Sequence, residues 1–391
     1  MDWKFTPEEE AFREELRGFL SANLPTDWND ASFTLPASSE ERNTLADKIS
    51  QSLADRQWLA MAWPKEYGGL DAPHMQQMIF NEETSYRAMP GDGGQGVQWV
   101  GPAIMLHGSE EQKQQYLPRI TSAQDIWCTL YSEPGAGSDL ASLQTSAVRD
   151  GDEFVINGQK IWTSGGREAN MGWLAARTNP TAPKHRGIST FAVPMDTDGI
   201  TVQPLTNMAG EQNFNEVYFD NVRIPAENLV GTEDRGWYQV ASALDFERSG
   251  VQAYSGGKRN VERLVDIVKQ DPGLIADRQQ TRYELADRWL ELEVGFNIAY
   301  RIPWMQSEGM VPNAEASVSK LYGSELSQRI AGTGIKMLGL AGGLAPGSAN
   351  APLGGALSAS YLNSVSSTIA AGTSEVQRNI IAQRGLGMPR G

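Results

Sequence analysis

The sequence predicts an α+β protein, with a helical segment at residues 1–125, a β module at 126–232 and a second helical segment at 233–391. Three observations carry this. A capped, amphipathic helix opens the chain. From about residue 126 the texture changes to short runs of β-branched and aromatic residues separated by turn dipeptides, and after Gly236 the long apolar periodicity of helices returns.

Taken in order, Thr6-Pro7-Glu8-Glu9 is a capping box with proline at the first helical position, and Phe12, Leu16, Phe19 and Leu20 form the apolar face behind it. Pro25 ends the run. In GSEEQKQQYLP, Ser109 can cap a short helix whose Glu110 and Glu111 suit the positive end of its dipole. Asp150-Gly151 and Asn157-Gly158 are hairpin signals, flanking strands expected at 153–156 and 159–163. Further strands are expected at 173–178, 188–193, 200–204 and 217–224, a spacing that suits a small barrel or sandwich. Leu285, Trp289, Leu292, Phe296 and Tyr300 mark a long helix with its aromatics in the core. Val318 and Leu321 mark another after an Asn313 cap. The stretch GLAGGLAPGSANAPLGGAL, 339–357, suits either a flexible linker or an ordered Gly-rich packing loop.

Composition narrows the function. At 391 residues, 40% hydrophobic and 21% charged, the chain is long enough for a sizeable core. A formal net charge of −15 argues against nucleic acid or an anionic membrane as the main partner. No apolar run approaches the roughly 20 residues that cross a bilayer. The N-terminus MDWKFTPEEE lacks the layout of a signal peptide, so a cytoplasmic location is expected. One cysteine, Cys128, is expected to be a small buried apolar residue, and His74, His107 and His185 are far apart. That leaves little for a metal centre or a Ser-His-Asp hydrolase, so the chemistry falls to a carboxylate or a borrowed cofactor.

One carboxylate stands out. Read as a helix, Val240, Leu244, Glu247, Val251 and Tyr254 fall within an arc of about 80°, and four of the five are apolar or aromatic. A glutamate on such a stripe loses water and its pKa rises unless it finds a partner. It is a defect, an ion pair or a general base.

Four ordered segments resemble the signatures of the acyl-CoA dehydrogenase family: YSEPGAGSDLASLQT (131–145), NGQKIWTSGG (157–166), FDNVRIPAENLVG (219–231) and GTSEVQRNIIAQRGLG (372–387). WPKEYGG (63–69) and the spacing of GP, EEQK and YLP over 101–118 fit that family's N-terminal domain. The resemblance implies a helical N-terminal domain, a β-barrel or sandwich middle domain and a C-terminal four-helix bundle. It implies bound FAD, with the isoalloxazine held by 129–138 and 162–164, that is Thr129, Tyr131, Ser132, Gly137, Ser138, Trp162, Thr163 and Ser164. Gly372, Thr373, Ser374 and Glu375 match the stretch that runs past the ribityl chain and pyrophosphate. Ser138, Asp245 and Arg248 match positions on the CoA thioester side. Independently, an aromatic beside two hydroxyls suits packing a planar heterocycle and bonding its polar edge, though a core strand would look the same.

Two departures shape the expected mechanism. Many family members carry the α-proton base immediately before the C-terminal Gly-Thr, where this chain has Ala371. Others place it on the facing helix before an arginine, as Glu247-Arg248 does. The resemblance therefore implies Glu247 as base, with the Ala371 backbone N–H retained as a donor to the thioester carbonyl. The second departure is a missing Arg…Phe-Gly pyrophosphate clamp after residue 255, together with Lys336 and Leu340 in a later motif that crosses subunits in the family. It puts a symmetric homo-oligomer in question and leaves two expectations, a homo-oligomer or a heteromer with a second dehydrogenase-like subunit. The implied activity is FAD-dependent α,β-dehydrogenation of an acyl-CoA thioester to the trans-2-enoyl-CoA in β-oxidation-type lipid metabolism, with flavin N5 as hydride acceptor and an electron-transfer flavoprotein as the next acceptor. A non-catalytic flavin- or CoA-binding subunit and an acyl-CoA oxidase are the alternatives.

Overall fold

A computed structural model describes residues 4–26, 28, 39–243, 249–274 and 279–389. Five helices come first: α1 (Pro7–Asn23), α2 (Ser39–Ala54), α3 (His74–Tyr86), α4 (Gly101–His107) and α5 (Glu110–Thr121). Eight strands follow: β1 (Trp127–Leu130), β2 (Ser146–Asp150), β3 (Glu153–Ser164), β4 (Met171–Arg177), β5 (Ile188–Pro194), β6 (Ile200–Leu205), β7 (Phe214–Pro225) and β8 (Leu229–Val230). Helices then return as α6 (Gly236–Ala243), α7 (Val251–Gln270), α8 (Gln279–Ser307), α9 (Asn313–Leu338), α10 (Ala356–Ser367) and α11 (Ser374–Ile380). The order helices, sheet, helices is the one the sequence predicts. The expected capping box at Thr6 forms and Ser109 caps α5 as expected, closing a second capping box: Thr6 Oγ1 accepts from Glu9 N, and Ser109 Oγ from Gln112 N, each at 3.2 Å.

Contacts among the described residues divide the chain into two units, one of residues 1–45, 72–90 and 248–391, the other of 46–71 and 91–247. In the first, α1 packs on α3, α3 on α7 and α8, and α9 on α7, α8 and α10. Glu83 is the clasp between α1 and α3. Buried, it accepts from Arg13 at 2.7 Å, Arg17 at 2.9 Å and Arg87 at 2.6 Å. Burial pushes its carboxyl pKa up, but the hydrogen bonds from Arg17, Arg13 and Arg87 outweigh this and hold it at about 2.

In the second unit the strands run in the order β6-β7-β3-β2-β4-β5-β8, with β1 parallel to β4. Alternate side chains of β1 to β5 and β7, among them Leu130, Phe154, Ile156, Leu174, Phe191, Val217 and Val222, meet in one buried core. Cys128 belongs to it, as its apolar character predicts. Gln112 of α5 donates to the Glu227 and Leu229 carbonyls at 2.7 and 2.9 Å, tying that helix to the last strand.

Local expectations are corrected in four places. Asn157-Gly158 does not turn a hairpin, because β3 runs unbroken from Glu153 to Ser164. The pair makes an irregularity in the ladder with β7, where Asn157 Oδ1 accepts from Asn221 N at 2.8 Å and a Cβ on Gly158 would lie 2.6 Å from Thr145 Oγ1. The helix expected through 240–254 is interrupted at Ser249 and Gly250, which are non-helical; Gly250 has φ 70° and Ser319 Oγ donates to the Ser249 carbonyl at 2.6 Å, so the stripe does not run on continuously into Val251 and Tyr254, and its Leu244 and Glu247 lie outside the described residues. Trp289 is 37% exposed under the Lys258 ammonium instead of lying in the core. Asn313 is the first residue of α9, and its side-chain oxygen accepts from Arg384 instead of capping the helix. The Gly-rich stretch 339–357 takes the ordered alternative, with a short turn of helix at Gly339–Gly343 and a left-handed turn at Leu353 and Gly354, φ 51° and 61°, leading into α10.

Candidate active site

Eight of the residues tied to the flavin by resemblance lie in the unit that carries the sheet. β1 brings Thr129 and Tyr131 to its C-terminal end, and the Thr129 N–H donates to the Gln95 side chain. From there a loop holds Ser132, Gly137 and Ser138, the last two exposed, before β2 begins. β3 reaches the same loop from the other side, since Ile161 N donates to the Ser132 carbonyl at 2.9 Å. Between Lys160 and Thr163 its ladder with β7 slips by one residue, a β-bulge that redirects the following side chains. Trp162 sits in that bulge with φ 63° and is 54% exposed, its ring edge-on to Phe214 at 5.8 Å. A tryptophan in the left-handed region costs roughly 1–3 kcal/mol and persists only where the surroundings enforce it.

Beside it, Thr163 is buried and its hydroxyl has no hydrogen-bond partner among the described residues. Asn215 holds the Thr163 carbonyl through Nδ2 at 3.0 Å and leaves its own Oδ1 unpartnered. Ser164 is exposed. An isoalloxazine needs an aromatic neighbour and polar groups for its hydrogen-bonding edge. A half-exposed indole, an orphaned hydroxyl and a free serine fit that need.

The remaining described candidates lie in the other unit, where Ala371 and Gly372 turn the chain with φ 52° and 87°. The N–H groups of Ala371, Gly372 and Thr373 donate to no protein acceptor among the described residues. Successive backbone donors without a protein acceptor are groups that a negative oxygen can satisfy. Thr373 caps α11 by accepting from Val376 N at 3.2 Å, and Glu375 is exposed on its first turn. Lys320 and Gln377 hold the turn from behind through the Gly372 carbonyl, at 2.7 and 3.4 Å. An open cavity of about 1020 Å³ adjoins Thr373, Ser374 and Glu375, and the buried Ser374 hydroxyl has no partner there. Arg288, Arg329, Lys336 and Arg378 line it; the first two share Glu291, while Lys336 pairs with Glu284 and Arg378 with Glu325.

Asp245, Glu247 and Arg248 lie outside the described residues. Sequence reasoning passed over Lys160 and Glu133, which stand inside quoted motifs. Lys160 is wholly buried and donates to Glu133 Oε1 at 2.8 Å and to the Tyr131 carbonyl at 3.0 Å. Its signal was a lysine at an inward position of the alternation Phe154, Ile156, Lys160. Among the described residues no cluster of His, Cys, Asp and Glu could hold a metal ion, and no helix is long and apolar enough to cross a membrane.

Known proteins resemble this chain along nearly its whole length. The family profiles for the acyl-CoA dehydrogenase N-terminal, middle and C-terminal domains match residues 6–124, 128–222 and 234–386. The acyl-CoA dehydrogenase FadE26 of Mycobacterium tuberculosis is 36% identical, over 99% of this chain and 98% of its own. Among solved structures, the Tcur3481-Tcur3483 steroid ACAD matches with a TM-score of 0.89 at 34% identity, covering 100% of both chains. The ChsE4-ChsE5 complex from Mycobacterium tuberculosis matches with a TM-score of 0.87 at 36% identity, again over 100% of both.

Proposed function

The chain belongs to the acyl-CoA dehydrogenase family of flavoprotein oxidoreductases, and on that premise we propose that it removes the α and β hydrogens of a bulky acyl-CoA thioester, with Glu247 as the α-proton base. The observation that carries this reading is the Trp162 bulge, an exposed indole held at φ 63° beside an unpartnered Thr163 hydroxyl, at the position where the family holds its flavin. Thr129, Tyr131, Ser132, Gly137, Ser138, Trp162, Thr163 and Ser164 would hold the ring, with Gly372, Thr373, Ser374 and Glu375 along the ribityl and pyrophosphate. FAD, when bound, supplies the hydride acceptor that no side chain can.

The chain's own residues do the rest. Glu247 takes the α-proton. The Ala371 N–H, free of any protein acceptor among the described residues, donates to the thioester carbonyl as negative charge grows there. Alanine at 370 and 371 leaves no second carboxylate to repel Glu247 and split the two pKa values. Ser138, Asp245 and Arg248 bind the CoA arm.

A sterol-like or otherwise bulky acyl group is the proposed substrate class, supported by the steroid dehydrogenase among the similar structures. A second dehydrogenase-like chain is the proposed partner, supported by the paired-subunit relatives. Electrons would pass to an electron-transfer flavoprotein, and the domain limits 1–125, 126–232 and 233–391 belong to the same proposal. Anaerobic titration of the flavin-loaded enzyme with a panel of acyl-CoAs tests the function. Bleaching of the flavin by bulky thioesters is expected, and bleaching by none would overturn it.

A further inference from the structure

We infer that Lys160 is a positioning residue whose buried ammonium, clasped by Glu133 and the Tyr131 carbonyl, fixes the register between the 131–145 loop and the end of β3, and so aligns Ser132 with Trp162, Thr163 and Ser164. As a statement about flavin it rests on the proposed function; as a statement about loop register it stands alone.

The geometry is a three-way tie. Lys160 Nζ meets Glu133 at 2.8 Å and the Tyr131 carbonyl at 3.0 Å, both at the start of the loop. Glu133 then reaches the loop's far end, accepting from Gln144 N at 2.7 Å and Thr145 N at 2.8 Å. One charge pair therefore joins residues 131 and 133, residues 144 and 145, and the strand position immediately before the bulge. Arg177 grips the same loop from β4, donating to the Ala141 carbonyl at 2.6 Å.

Stability alone is a poor reason for such a pair. An ammonium is among the costliest groups to bury, and an apolar side chain of similar volume often serves the core as well or better. Lys160 is 0% exposed, and burial pulls its pKa down to about 8 even with Glu133's charge opposing. What a methionine could not supply is a directional link to one carboxylate and one carbonyl on a loop that is exposed at Gly135, Gly137 and Ser138 and anchored by apolar contact at Ala136, Ala141 and Leu143. An ion pair at a single register position is a known way of selecting one alignment over its neighbours.

The test uses the full chain with Lys160→Met and with the neutral double substitution Lys160→Met/Glu133→Gln. Hydrogen exchange is read first without flavin. Lys160→Met should speed exchange of the Gln144, Thr145 and Ile161 amides by a hundredfold or more while Leu174 and Phe191 in the core stay protected. In the double variant the melting temperature should recover but the fast Ile161 exchange should persist. Unchanged exchange at those three amides, or Ile161 protection that returns together with the melting temperature, would overturn the proposal. Flavin is then added, with any partner subunit that wild type needs to retain it. Both variants should bind FAD at least tenfold more weakly than wild type, and equal affinity would contradict the alignment role. If wild type itself binds no FAD, the proposed function fails, while the exchange result still decides the register claim.

Discussion

The Lys320 ammonium donates to the Gly372 carbonyl at 2.7 Å and to the Ser367 carbonyl at 3.2 Å, so one side chain of α9 holds both sides of the turn that carries Ala371. A hydrogen bond from a charged donor contributes roughly 1.5–3 kcal/mol where it is shielded from water. Lys320 is half-buried, so Lys320→Met should cost about 1–2 kcal/mol in denaturant unfolding. It should also speed exchange of the Ser374 amide, which bonds to the Thr368 carbonyl across the turn. Loss of stability without change at Ser374 would show that the lysine supports only its own helix.

Ala371 holds φ 52°, where any side chain with a Cβ is strained. Ala371→Gly relieves that strain but gives the unfolded chain more freedom, and the two effects partly cancel. The expected result is a gain of about 0.5–1 kcal/mol by thermal unfolding. A loss would mean that the methyl group makes packing contacts that outweigh its backbone cost.

Glu83 makes acid stability legible. Its carboxyl is held at about 2 against roughly 4.3 in an unfolded chain, so its contribution is complete above the unfolded value and disappears as pH falls from about 4.3 to about 2. The shift corresponds to about 3 kcal/mol. Glu83→Gln should be less stable than wild type at pH 7, with a flatter loss of stability between pH 5 and 2. Parallel pH curves for the two proteins would contradict the clasp.

Trp162 gives a prediction of the opposite kind. Because it is half-exposed and strained, Trp162→Gly should leave the melting temperature unchanged or slightly raised. FAD affinity should nevertheless fall, since an aromatic contact is worth about 0.5–1.5 kcal/mol beyond its area, a factor of roughly 2–12. Fluorescence titration with FAD checks it, and an unchanged dissociation constant would remove Trp162 from the flavin site.

Much of the fold was legible because its signals are local. A Thr or Ser followed three residues later by Glu or Gln closes a capping box within one turn, and Asp150-Gly151 closes a hairpin within four residues. Asn157-Gly158 misled because the same dipeptide also serves a strand that another backbone approaches closely, and only the distant Thr145 and Asn221 decide between the two. The 240–254 stripe misled because helical periodicity survives in sequence across a break enforced by Ser319, seventy residues away. Lys160 was overlooked for a similar reason, since a lysine reads as surface until the carboxylate that accepts it, on another segment, is known. At the candidate site the motifs supplied residue types, whereas the bulge, the orphaned hydroxyl and the free N–H groups are properties of three-dimensional pairing.

The account turns on Glu247, and rapid anaerobic mixing of flavin-loaded enzyme with a bulky acyl-CoA addresses it most directly. Glutamine keeps the size of the side chain but cannot accept the α-proton, so Glu247→Gln should slow flavin bleaching by roughly 10³-fold with FAD still bound. Bleaching at the wild-type rate in that variant would mean that another group takes the proton, and the proposed mechanism would be wrong.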